Sequence, residues 1–160
     1  MMNESAPFEE KWIKGMIIAR EKFPFRESGK PFQSLWDAHG IEIRGEPLKL
    51  DFVRYAQIER EGRMICIVAR DGDRPVGYSF HYWYKSLHFD EREGHDDLWY
   101  VLPAYRKDGI GQRLRMMGMA ALKDAGAVST SDFIRNAGTH PTLMTQLGYD
   151  THGIWWRKTL

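Results

Sequence analysis

One segment constrains this chain more than any other: DDLWYVLPAYRKDGIGQRLRMMGMAALKDAG, from Asp96 to Gly126. Its first part is an apolar run that Pro103 stops, because proline has no N–H to give to a ladder. Its last part repeats apolar residues at Ile110, Leu114, Met117, Ala121 and Leu122, the spacing of a helix with one buried side, and closes on Gly126. RKDGIG joins the two. A strand that enters a helix through a glycine loop aims several backbone N–H groups at one point, at the positive end of the helix dipole, and so makes an anion site suited to phosphate. Gly109 and Gly111 have no Cβ to hold a phosphate off the backbone, and Arg106, Lys107 and Gln112 can add side-chain contacts. The chain has neither the GxxxxGK-Ser/Thr loop of nucleotide-hydrolysing folds nor the GxGxxG of dinucleotide-binding ones.

The remaining pattern is mixed. Ser5 can cap a helix, Pro7 is tolerated in a first turn, and Phe8, Trp12, Met16 and Ala19 share a face, so a helix from about Pro7 to Lys22 is expected. From Pro24 to Leu50 the chain is irregular, with a short helix at FQSLWDAH that Gly40 would end. Asp51 caps a helix FVRYAQIERE that Gly62 stops. RMICIVARDGDRPVGYSFHYWYK is a hairpin around a DGDR turn, its second strand placing Val76, Tyr78, Phe80, Tyr82 and Tyr84 on one face. A polar loop, SLHFDEREGH, precedes the strand DDLWYVL. A strand at about AVSTSDFI, a short helix at HPTLMTQL and a closing strand GIWWRKTL complete an α+β, or mixed α/β, order without repeats and in one domain over residues 1–160.

Val101, Pro103, Arg106, Gly109 and Gly111 form V-x-P followed by R-x-x-G-x-G, and this resembles the acyl-CoA pyrophosphate loop of the GNAT N-acetyltransferase superfamily. ICIVARDGDRPVGYSF is similar to that family's second and third strands, and TLMTQLGYDTHGIWWRKTL to its last helix and strands. The run LHFDEREGHDDLWYVLPAYRKDGIGQRL and the K-x-L ending are similar to GNAT proteins of phage and prophage genomes. The resemblance implies a mostly antiparallel, splayed sheet flanked by helices, and transfer of an acetyl group from acetyl-CoA to a primary amine of a small molecule or protein. It implies that the loop from Arg106 through Ile110 to Gln112 holds the CoA pyrophosphate, with a weaker contact from Asn136. The backbone N–H near Val101 would hold the acetyl oxygen as it gains charge.

An amine with a pKa like that of lysine needs a base at neutral pH. The family places an acid on its fourth strand, where this chain has Asp96 and Asp97. Asp97, on the parity of Trp99 and Val101, is the expected base, and two acids at a strand start are otherwise ordinary exposed residues. The family's thiol-protonating tyrosine, four residues before the glycine of L-G-F/Y, is replaced by Met144, so solvent, Tyr149 or Tyr100 would serve as the acid.

Composition narrows the partners. The 160 residues carry 23 Lys and Arg against 22 Asp and Glu, a formal net charge of +1, so nucleic acid is a less favoured acceptor than a small molecule or protein. The histidines have no metal-ligand spacing, the single Cys66 is expected as a small buried hydrophobe, and no metal is expected. The start has no basic and apolar targeting pattern and no apolar run approaches about 18 residues, from which a cytoplasmic protein without a membrane partner is expected. Trp155 and Trp156 must face opposite ways on one strand, and the outer one would line an acceptor pocket or a homodimer contact.

Overall fold

Strand-forming sequence dominates the middle of the chain, and the computed structural model gathers it into one five-stranded sheet. The structure describes residues 15–24, 30–132 and 140–150. In chain order the elements are β1 (Met16–Glu21), α1 (Lys30–Arg44), α2 (Phe52–Arg60), β2 (Met64–Asp71), β3 (Arg74–Lys85), β4 (Arg92–Val101), a 3-10 turn (Pro103–Tyr105), α3 (Ile110–Asp124), β5 (Ala127–Asp132) and α4 (His140–Gln146). The strands lie in sequence order, antiparallel except that β4 and β5 run parallel. A parallel pair needs a crossover, and α3 is that crossover.

The sheet is buried on both faces. Phe23, Phe32, Leu35, Trp36, Cys66, Val68, Tyr78, Phe80 and Tyr100 form one core beneath α1 and α2. Ile65, Ile67, Ala69, Val101, Ile110, Leu114 and Leu122 form the other, beneath α3. The alternation of β2 between the two explains its unbroken apolar run. No helix among the described residues is long and apolar enough to cross a membrane.

Four expectations are corrected here. MIIARE is not the end of a helix but strand β1, paired from Met16 with Asp71 to Glu21 with Cys66. The β-branched Ile17 and Ile18 suit a strand, and a two-pronged ion pair between Arg70 and Glu21, at 2.7 and 2.8 Å, ties it to β2. The helix that Gly40 was to end runs on to Arg44 and turns at Gly45, whose φ is 78°. Gly40 is instead where the Glu46–Leu48 backbone crosses, so close that a Cβ would lie 2.4 Å from the Glu46 carbonyl oxygen. Val76 leaves the face of Tyr78, because a bulge shifts the β2–β3 register between Ala69 and Arg70 and puts Val76 beneath α3. Met117 is 38% exposed, and the buried stripe of α3 reads Ile110, Leu114, Arg115, Gly118, Leu122. Asp51 caps α2, accepting from the Arg54 N–H at 3.0 Å as its side-chain chemistry predicts. The closing strand GIWWRKTL, with Trp155 and Trp156, lies outside the described residues.

Candidate active site

The site grows from two irregularities in β4. On one edge the pairing with β5 ends at Asp96 opposite Asp132, so among the described residues β4 continues from Asp97 to Val101 without β5 beside it. On the other edge the register with β3 slips: His81 pairs with Asp96 and Phe80 with Leu98, leaving Asp97 as an extra residue. A bulge of this kind re-aims the side chain at the inserted position. Simple alternation puts Asp97 with Trp99 and Val101, but those two pack on the α3 side while Asp97 turns to the α2 side and accepts a hydrogen bond from the Tyr55 hydroxyl. The expected parity of Asp97 is therefore corrected by one inserted residue.

Asp97 lies in the wall of a pocket of about 270 Å³. Leu50, Ile58, Tyr82 and Leu98 give it apolar sides, and Lys49, Asp51, Arg54 and Tyr55 line it from the start of α2. Burial pushes the Asp97 carboxyl above its ordinary range, against the opposing pull of Tyr55 and of nearby His95, His81 and Arg54. A carboxylate with a raised pKa in a partly apolar pocket is suited to accept a proton near neutral pH.

The loop before α3 lies beyond the other end of β4. Asp108 and Gly109 both adopt left-handed backbone, with φ of 64° and 72°, and Gly109 begins α3 without a side-chain cap. The first N–H groups of α3 are thus left for a ligand or water. Space around Gly109 is open, whereas a Cβ on Gly111 would lie 3.0 Å from the Trp99 ring. Trp99 Nε1 donates to the Gly111 carbonyl at 3.1 Å, so the missing Cβ of Gly111 also makes room for an indole. Ile110 is buried in the core, and Lys107 and Gln112 are exposed. Arg106 is folded back: Nε donates to the Val101 carbonyl at 2.9 Å and Nη2 pairs with Glu42 of α1 at 2.5 Å. Tyr100 is buried between His39, stacked on it at 4.7 Å, and the Arg106 guanidinium, 5.4 Å from its ring centre. Burial and Glu42 raise its hydroxyl pKa. Tyr100 is not part of the Asp97 pocket, and Asn136 lies outside the described residues.

Beneath α3 sits a polar network that periodicity alone does not reveal. Ser79 Oγ lies 2.6 Å from His81 Nε2, and His81 Nδ1 bonds Asp96. Ionised Asp96 only accepts, so Nδ1 carries the hydrogen of this bond. Arg115 donates to Asp96 at 2.8 Å and to Asp132 at 3.0 Å, and the Tyr149 hydroxyl donates to Asp96. Burial alone would raise the Asp96 carboxyl, but His81, Arg115 and Tyr149 hold it below the usual carboxylate range. The Ser–His–Asp order is that of a hydrolase triad, yet Ser79 is 1% exposed and His81 0%, roofed by Gly118. The network is a structural clamp that ties β4 to β5 through Asp96, Arg115 and Asp132. Tyr149 gives its hydroxyl hydrogen to Asp96, and Met144 is buried with no proton to give. An arginine at a stripe position of α3 was the available sign of this clamp, because a buried guanidinium requires buried acids.

With this geometry in view, the comparisons with known proteins fall on one fold. The acetyltransferase (GNAT) family model matches residues 29–149. No curated protein sequence matches significantly. An aminoglycoside acetyltransferase from an uncultured soil metagenomic sample superposes with a TM-score of 0.71 at 14% identity, over 91% of this chain and 98% of that one. A second such enzyme, in complex with sisomicin, gives 0.70 at 13% identity, over 92% and 97%. The ribosomal-protein-alanine N-acetyltransferase of Brucella melitensis biovar Abortus gives 0.63 at 16% identity, over 90% and 98%.

Proposed function

Because the chain belongs to the GNAT acetyltransferase family, we propose that it transfers the acetyl group of acetyl-CoA to a primary amine held in the Asp97 pocket. The observation that carries this reading is the β4 bulge, which presents a carboxylate of raised pKa to that pocket. The amine arrives protonated, and Asp97 takes the proton. The nitrogen lone pair then attacks the thioester carbonyl, whose oxygen is held by backbone N–H groups of β4 between Asp97 and Val101 as it becomes negative. The C–S bond breaks, the nitrogen releases its second proton to solvent as the amide forms, and the CoA thiolate takes a proton from solvent. Much of the acceleration comes from holding both substrates against one strand. The uncapped start of α3, with Lys107, Gly109 and Gln112, holds the pyrophosphate.

Titration calorimetry with acetyl-CoA tests the donor half. Gly109→Asp weakens binding at least tenfold, because the new carboxylate caps the N–H groups that phosphate would use; the Cβ meets open space, and the left-handed backbone at φ 72° adds a strain of about 1–2 kcal/mol that a thermal melt on the same sample measures. Unchanged affinity in a folded Gly109→Asp protein removes the loop from the donor site. Glu42→Gln has the opposite sign. Its ion pair with Arg106 is about half exposed, at 45% and 44%, and is worth up to about 1 kcal/mol. Releasing the guanidinium toward the loop tightens acetyl-CoA by up to about fivefold in the same titration.

A further inference from the structure

The pocket around Asp97 has a chemical polarity of its own. Its rim carries two exposed cations, Lys49 ahead of α2 and Arg54 in its first turn, where the helix dipole is positive and a cation is locally unfavourable. No acid occupies the first turn of α2, and the Asp51 carboxylate is engaged with the Arg54 backbone N–H at 3.0 Å. The Arg54 guanidinium has no hydrogen-bond or ion-pair partner among the described residues. Lys49 meets only Glu46, at 3.7 Å, with side chains 86% and 58% exposed, a pairing too solvated to neutralise it. Leu50, Ile58, Tyr82 and Leu98 line the same pocket, and Arg54 is near enough to Asp97 to pull its carboxyl pKa down. The pocket thus gathers two exposed cations, Asp51, these apolar side chains and the half-buried Asp97 around a space of about 270 Å³.

We propose that the acceptor is a small primary amine bearing a carboxylate, of amino-acid size, whose anionic end pairs with Arg54 and Lys49 while its nitrogen reaches Asp97. A polycation is unsuited to this rim, where Lys49 and Arg54 repel it. A cation against the local preference of a helix marks a place where function overrides stability. The inference rests on the acetyl-transfer reading above. In the reaction the ammonium proton passes to Asp97, the N–C bond forms as the C–S bond breaks, and the carboxylate is unchanged.

The test compares β-alanine with β-alaninamide, which keeps the shape and removes the charge, and with sisomicin, at saturating acetyl-CoA and with free thiol as the readout. The expected result is a kcat/KM for β-alanine at least about tenfold above that for the amide, with sisomicin slower than both. Arg54→Gln, at an exposed position, is expected to raise KM for β-alanine about tenfold more than KM for the amide, a split that a loss of folding would not produce. Preference for sisomicin or the amide, equal effects of Arg54→Gln on both small amines, or no turnover of β-alanine while acetyl-CoA still binds by calorimetry overturns the inference and leaves the donor reading standing. Absence of acetyl-CoA binding to the wild-type protein overturns the reading beneath it.

Discussion

Asp97→Asn is expected to lower kcat by about two to four orders of magnitude at neutral pH, the range general base catalysis supplies, while acetyl-CoA affinity stays at the wild-type value. The amide keeps the size of the carboxylate and can still accept from the Tyr55 hydroxyl, so the pocket retains its shape. What disappears is the ability to take a proton. Burial raises the Asp97 pKa, which means that in the wild type kcat/KM falls as pH drops through that raised value; the variant loses this acidic limb. Stability moves the other way. A carboxyl whose folded pKa lies above its unfolded one contributes stability below the unfolded pKa, and that contribution is lost as pH rises through the folded pKa. At neutral pH the ionised Asp97 is therefore a burden, and Asp97→Asn is expected to melt at or above the wild-type temperature. Pre-steady-state and steady-state rates across pH, with thermal melts on the same samples, check both. A wild-type rate in the variant would return Asp97 to an ordinary buried acid.

The second large effect is structural. Gly118→Ala in an exposed helix would be worth up to about 1 kcal/mol of added stability, because alanine is the better helix former. Here the sign reverses. A Cβ on Gly118 would stand 1.9 Å from His81 Nε2 and 2.5 Å from two of its ring carbons. The imidazole cannot yield, since Ser79 holds one nitrogen and Asp96 the other, and Asp96 is in turn held by Arg115 and Tyr149. Either α3 lifts off the sheet or the network breaks and leaves buried polar groups unpaired, at roughly 1–3 kcal/mol each. We expect a loss of at least about 3 kcal/mol and a fall in Tm on the order of 10 °C for a chain of this length. Circular-dichroism melts check it. Gly118→Ala combined with His81→Ala gives the cycle: the clash term vanishes in the double variant, so it is less destabilised than the two single changes summed. Strict additivity would mean that His81 and Gly118 do not press on each other.

Much of the sheet was legible in the letters, and the reasons differ by element. The β2–β3 hairpin, Asp51 at the start of α2 and the strand–loop–helix around RKDGIG are written in local chemistry: β-branched runs, a capping carboxylate, a left-handed glycine. β1 was misread because Met16 and Ala19 fit a helical face, while what decides MIIARE is β2 beside it and the Glu21–Arg70 fork, both distant in sequence. Gly40 reads as a stop and acts as a crossing point for a loop it has not yet reached. The pocket was the least legible part. Tyr55, Arg54 and Lys49 look like ordinary positions of a surface helix, and only the tertiary fold brings them to Asp97. Arg115 broke an apolar stripe and could have been noticed, but its partners Asp96 and Asp132 come from two strands.

Strand β4 has a surplus residue. With Asp97 struck out, Asp96 facing α3, Leu98 facing α2, Trp99 facing α3 and Tyr100 facing α2 would alternate without a fault, and the ladder to β3 would run unbroken from Arg92 to Val101. The sheet would be better for the omission. The position that interrupts the alternation of β4 is thus the one on which the proposed chemistry depends.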